Sequence, residues 1–183
     1  MGHNLAMRPQ AAANFPPGPE QDISFDSRSL RDAFGHFATG VAIVTARGSG
    51  GERLGMTINS LASLSLQPAL LLWSIACSSR SHGQFTGHIR HFAIHVLGEH
   101  QQPLCRQFHR SDQERFAGLE TRDNAKGVPL LSDCLARFEC AVEQIVPAGD
   151  HSIIIGRVLG IQEHPGEPLL FHRGRFGRFS SLD

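Results

Sequence analysis

The chain has 183 residues, enough for one domain of ordinary size plus a tail, and 40% of them are apolar, enough for a core. Lys plus Arg and Asp plus Glu both number 17, so with neutral His the formal charge is zero, and no bulk field recruits nucleic acid or an anionic membrane. Tyr is absent against 12 Phe, which removes the phenol as a catalytic proton donor.

The four cysteines, Cys77, Cys105, Cys134 and Cys140, form no C-x-x-C pair and no zinc-like spacing, so they are expected to be reduced and mostly packed. The first residues lack the basic-then-apolar order of a signal peptide, and no run reaches the ~18–20 apolar residues of a membrane span. A soluble, cytoplasmic protein that binds neither nucleic acid nor membrane is the expectation.

In chain order, residues 1–24 hold Pro9, Pro16, Pro17, Gly18 and Pro19 without periodicity and read as a flexible arm ahead of a domain over 25–183. Leu30, Ala33, Phe34, Phe37 and Ala38 then recur at helical spacing, with Asp26 or Ser27 as the cap and Gly40 as the stop. The β-branched segment Val41–Ala46 reads as a strand, followed by the turn-forming Gly48–Gly51 and a second strand from Leu54 through Thr57 to Ser60. Ala69–Ala76 and Phe92–Leu97 are short apolar runs of buried-strand length. Ser81–Phe85 between them reads as a short helix. Gln101–Arg110 reads as another, with Leu104, Cys105 and Phe108 on one side.

The segment 111–132 is polar and carries no clear period. Cys134–Val146 and Ser152–Gln162 read as two long strands joined by Pro147–Asp150, and Glu139, Ala141 and Glu143 alternate with Phe138, Cys140 and Val142 across the first. Many strands with hairpin turns and few helices predict a mainly β domain, an antiparallel barrel with helical decoration.

Five segments carry donors or cations in unusual density. Gly55–Ser63 mixes hydroxyls and an amide with apolar residues, a pattern suited to a heteroaromatic edge and also to an ordinary polar strand face. Ser78–His82 follows an apolar strand with three Ser and Arg80, which suits a phosphate and equally a capped helix start with a solvated Arg. Gly149-Asp150-His151 places a histidine in a turn, where Asp and Gly are also ordinary turn formers. Pro168–Phe176 joins an apolar strand to a basic, aromatic tip that fits a dinucleotide or a solvated edge hairpin. The fifth segment holds His88, His91 and His95. His91 and His95 would share a helical face, but the segment reads as a strand, so no metal site is expected there. There is no phosphate-loop or dinucleotide fingerprint and no G-x-S-x-G elbow.

Together these segments resemble the flavin reductase family, the small reductase components of two-component flavin monooxygenases. The resemblance rests on Phe37-Ala38-Thr39-Gly40-Val41, Gly55-Met56-Thr57-Ile58-Asn59-Ser60, Ser63-Leu64-Ser65 and Gln67-Pro68-Ala69 before Leu71-Leu72-Trp73-Ser74. It continues through Phe92-Ala93-Ile94-His95-Val96-Leu97, Gly149-Asp150-His151 and Pro168–Gly174, all in family order over Leu30–Phe179.

The resemblance implies a split antiparallel β-barrel of the FMN-binding type, a homodimer, and hydride transfer from NADH or NADPH to FMN or FAD, with a partner monooxygenase using the reduced flavin. It implies flavin contacts from Thr57, Asn59, Ser60 and Ser63 and a flavin phosphate at Ser79, Arg80 and Ser81. Nicotinamide contacts are implied at His151, Arg175 and Phe176. No side-chain acid or base is implied, because the two cofactors carry the chemistry. Phe171 or Phe176 stands where the family often has Tyr, and His95 stands where the family strand has Asn. An FMN-binding electron carrier, or a flavin-binding module without turnover, is the alternative.

Overall fold

The structure is a computed structural model that describes residues 25–109 and 113–182, so the expected arm over 1–24 lies outside the described residues. In chain order the strands are β1 (Thr39–Gly40), β2 (Ala42–Arg47), β3 (Arg53–Ile58), β4 (Ala62–Leu66), β5 (Ala69–Ala76), β6 (His91–Val96), β7 (Thr121–Asp123), β8 (Pro129–Leu131), β9 (Ala136–Ala148), β10 (His151–Glu163), β11 (Leu169–His172) and β12 (Arg175–Arg178). The helices are α1 (Ser27–Phe34), α2 (His82–Gly87) and α3 (Gln102–His109), the last preceded by a 3-10 turn over Glu99–Gln101.

Seven strands form one antiparallel sheet in the order β3-β2-β6-β9-β10-β5-β4. Its first and last strands, β3 and β4, are joined only by Asn59, Ser60 and Leu61. Four Cα–Cα steps span at most about 15 Å, so the sheet must curl until its edges meet. At the seam Ser60 Oγ donates to Ser74 O (3.3 Å) and accepts from Ser74 N (3.0 Å), which docks the link against β5. The expected antiparallel barrel is therefore the fold observed.

The barrel interior is filled by Val44, Ile58, Trp73, Ile75, Phe92, Ile94, Cys140 and Ile154, with Phe85 and Ile89 from the α2 region closing over it. Trp73 receives Phe85 and Phe92 edge-on, with ring centroids 5.0 and 5.9 Å away. A second apolar cluster lies outside the barrel. There Val41, Ile43, Leu97 and Leu169 pack with Cys105 and Phe108 of α3. A three-stranded sheet, β1-β11-β12, flanks this cluster and contributes Phe171 and Phe176.

Several expectations need correction. The helix predicted through Ala38 ends at Phe34, because the chain turns at Gly35 through two tight hydrogen bonds, His36 N to Ala33 O and Phe37 N to Phe34 O. Thr39 and Gly40 then pair with Phe171 and Leu170 instead of ending a helix. The apolar stripe of α1 is left uncovered by the described residues: Leu30, Phe34 and Phe37 are 36%, 70% and 78% exposed. Its periodicity predicted helix type but not a partner.

The strand predicted to run to Ser60 stops at Ile58, and Ala62–Leu66 forms a separate strand. His91 and His95 both lie on β6, and the buried His95 ring sits between Ile43 O and Leu131 N. The polar segment after α3 supplies the short β7–β8 hairpin.

Candidate functional site

Beside the outer cluster lies a cavity of about 460 Å³ lined by Val41, Thr57, Ile58, Asn59, Cys105, Arg106, His109, Phe171 and Phe176. Three layers of the fold build it. The end of β3 and the start of the seam bring Thr57, Ile58 and Asn59. The β11–β12 hairpin brings Phe171 and Phe176, which face each other across the hairpin with ring centroids 5.5 Å apart. The last turn of α3 brings Cys105, Arg106 and His109.

Gly55 sets the distance of α3 from the barrel. A Cβ at that position would run into the ring of Phe108, so only glycine lets α3 sit this close to β3. Thr57 Oγ1 then donates to Cys105 O at 3.0 Å and fastens the two elements. Burial pushes the Cys105 thiol above its ordinary pKa, with the Thr57 hydrogen bond and Arg106 opposing the shift. That thiol lines the cavity as a neutral, weakly polar surface and not as a nucleophile.

A second group of predicted residues gathers around the end of β5. His151 pairs with Ala76, Cys77 N donates to Asp150 O at 2.8 Å, and Ser79 N donates to Ala76 O at 2.9 Å. The β9–β10 turn and the Ser78–Ser81 turn therefore sit side by side. His151 is 43% exposed at its side chain, and its Nδ1 lies 2.6 Å from Asp150 Oδ1. That contact holds the Asp150 carboxyl below its usual range. Ser79 Oγ accepts from Ser81 N at 3.4 Å, and Arg80 is exposed.

Seven of the ten predicted residues thus fall in two places joined by the seam. Thr57, Asn59 and Phe176 line the cavity, while Ser79, Arg80, Ser81 and His151 share the end of β5. Ser60 spans the interval through its paired bonds to Ser74, two residues before Ala76. Ser63 stands exposed on β4 opposite Leu71, and Arg175 is exposed at the tip of the β11–β12 hairpin opposite His172. The sets expected to serve flavin and nicotinamide do not segregate: each place holds members of both. Arg106 and His109 line the cavity without having been singled out from the sequence. Their only signal was a pair of basic residues three apart on the outer side of a helix, which ordinarily means a solvated face.

Residues 34–180 match the family model described as a flavin reductase like domain. The chain belongs to the flavin reductase family. Among relatives of this family, an FMN reductase (NADH) of Agrobacterium fabrum is 48% identical over 166 residues, covering 91% of each chain. The reductase component of a flavin-dependent trigonelline monooxygenase from Acinetobacter baylyi is 42% identical over 157 residues, covering 86% of this chain and 50% of that one. The fold is similar to that of an NADH:FAD oxidoreductase from Streptomyces globisporus in complex with NAD and FAD fragments, with a TM-score of 0.79 and 36% identity, covering 86% of this chain and 94% of that one. The family resemblance, the split barrel and the oxidoreductase class read from the sequence all stand. No helix among the described residues is long and apolar enough to cross a membrane.

Proposed function

We propose that this flavin reductase family member oxidises NADH and reduces FMN or FAD, and that a flavin-dependent monooxygenase consumes the reduced flavin. The observation that carries the proposal is the cavity where the polar Thr57 and Asn59 face the aromatic Phe171 and Phe176. That lining fits planar heteroaromatic cofactors: apolar faces for ring surfaces, an amide for a ring edge, and the Arg106 guanidinium for an anionic tail. Relatives described as NADH-dependent FMN and FAD reductases support the choice of cofactors.

When bound, the cofactors supply the redox chemistry, a hydride passing from nicotinamide to flavin. The protein's work is to hold and dry the reacting surfaces. Asn59 has both an amide donor and an acceptor to offer a ring edge. Phe171 and Phe176 keep water from one wall, and Ser79, Arg80 and Ser81 offer hydroxyls and a guanidinium to a phosphate. His151 stands beside that turn with an exposed ring. No acid or base is required of any side chain.

A homodimer is part of the proposal. It is supported by apolar side chains that this chain leaves uncovered, with Phe34, Leu66 and Ile161 exposed by 70%, 91% and 61%. Sedimentation of the purified protein tests it, and a monomer at micromolar concentration would overturn it.

The function is tested by following NADH absorbance with FMN or FAD added. Rapid loss that depends on flavin is the expected result. A yellow protein that leaves NADH intact would replace this function with that of a flavin carrier.

A further inference from the structure

Arg106 and His109 stand three residues apart on the last turn of α3, both exposed and both on the wall of the cavity. No carboxylate is among the lining residues, and neither side chain enters an ion pair among the described residues. The Arg106 guanidinium, with the His109 ring one turn further on, therefore stands beside the facing rings of Phe171 and Phe176 with no carboxylate on the cavity wall to balance it. The arrangement suits a ligand with a planar ring joined to a doubly charged linker.

Two places on this chain present a guanidinium beside further hydrogen-bonding groups. One is the Ser79–Ser81 turn at the end of β5, and the other is the α3 wall of the cavity. We propose that Arg106, assisted by His109, binds the diphosphate of the nicotinamide dinucleotide, leaving the flavin phosphate to the Ser79–Ser81 turn. This assignment rests on the proposed flavin reduction by NADH and adds to it the group that holds the electron donor. It also separates the two cofactors by their charged ends, although the residues expected to serve them are intermixed.

A competing account makes these basic residues mere partners of the helix dipole, since cations are favoured at a helix C-terminus. The two accounts differ in what they do to a ligand. A helix C-terminus repels an anion, so any affinity for diphosphate must come from the side chains themselves.

The test uses the full chain with Arg106→Gln, Arg106→Lys and His109→Gln. NAD⁺ and FMN are titrated separately by calorimetry, and the KM for NADH is measured alongside. Loss of a charge-assisted bond predicts roughly tenfold weaker NAD⁺ binding in R106Q, a smaller loss in H109Q, partial recovery in R106K, and unchanged FMN affinity. NAD⁺ binding should also weaken less with added salt in R106Q than in the parent.

Unchanged NAD⁺ affinity in R106Q and H109Q, or a lower melting temperature with no effect on NAD⁺, would overturn the assignment in favour of the dipole account. Weakened FMN binding would reassign the cavity's cations to flavin. A parent protein that oxidises NADH while R106Q behaves identically removes this assignment alone. A parent that neither binds NAD⁺ nor oxidises NADH removes the proposed function with it.

Discussion

His95 Nε2 accepts a hydrogen bond from Leu131 N at 3.1 Å, while Nδ1 of the same ring lies 3.2 Å from Ile43 O. One imidazole thereby ties β8 to the barrel strands β2 and β6. Both bonds exist together only in the neutral ring that carries its proton on Nδ1, since Nε2 must be free to accept.

Burial is the main reason the His95 pKa falls to about 3; the bond to Ile43 O opposes the shift and Arg137 adds to it. In the unfolded chain the ring titrates near ~6.5. Between these values the unfolded state binds a proton that the native state refuses. The stabilising contribution is therefore complete above the unfolded value and is lost as pH falls through the window toward about 3. Relative to His95→Asn, the parent should lose about 1.4 kcal/mol of unfolding free energy per pH unit in that window. Urea unfolding of both proteins across mildly acid pH checks this, and parallel profiles would contradict it.

Gly55→Ala is expected to destabilise the fold by about 1–3 kcal/mol, because the new methyl meets the Phe108 ring and α3 must move. Since α3 carries the cavity wall, flavin reduction should fall further than the stability loss explains. Denaturant midpoints and turnover at a temperature well below melting separate the two effects.

Arg80→Ala should weaken FMN binding roughly tenfold, the size of one charge-assisted bond, and leave the melting temperature of the flavin-free protein unchanged. Arg80 is exposed on the turn after β5, so its removal leaves no hole in the core. Flavin affinity equal to that of the parent would remove the phosphate assignment for Ser79–Ser81.

His151→Ala is expected to raise the KM for NADH several-fold while FMN affinity changes little. The His151 ring is partly exposed at the β9–β10 turn and contacts Asp150, so its loss should not disturb packing. Titrations with NADH and with FMN measured on the same preparation decide it. Identical kinetics in parent and variant would sink the role.

The strands were legible where one physical signal dominated. Val41–Ala46 is β-branched, Ala69–Ala76 is a short apolar run, the long pair on either side of Pro147–Asp150 is alternating or β-branched, and all appear within a residue or two of the expected bounds. The seam was not legible, because Asn59–Leu61 interrupts a run of strand-compatible residues. The break is enforced by the bonds between Ser60 and Ser74, fourteen positions away in sequence. Helix α1 showed the opposite failure: a clear amphipathic period whose apolar side is not buried by any of the described residues.

At the site, Thr57, Asn59 and Phe176 could be flagged by residue type, but their meeting in one cavity depends on the distant β11–β12 hairpin. Arg106 and His109 were invisible for a plainer reason. Nothing local distinguishes a cation facing solvent from one facing a recess whose other walls come from remote segments.

The position of the β9–β10 hairpin in the sheet has a consequence for synthesis. Its two strands lie between β6 on one side and β5 on the other, so no backbone bond of the sheet joins those two until residues 136–163 are present. A nascent chain that has reached residue 135 holds two strand groups, β3-β2-β6 and β5-β4, linked only through the Asn59–Leu61 seam and each with an unpaired apolar edge. Such edges are templates for aggregation. The ribosome must therefore release most of this polypeptide before the barrel can shut. Premature termination upstream of Ala136 should yield insoluble product instead of a smaller folded one.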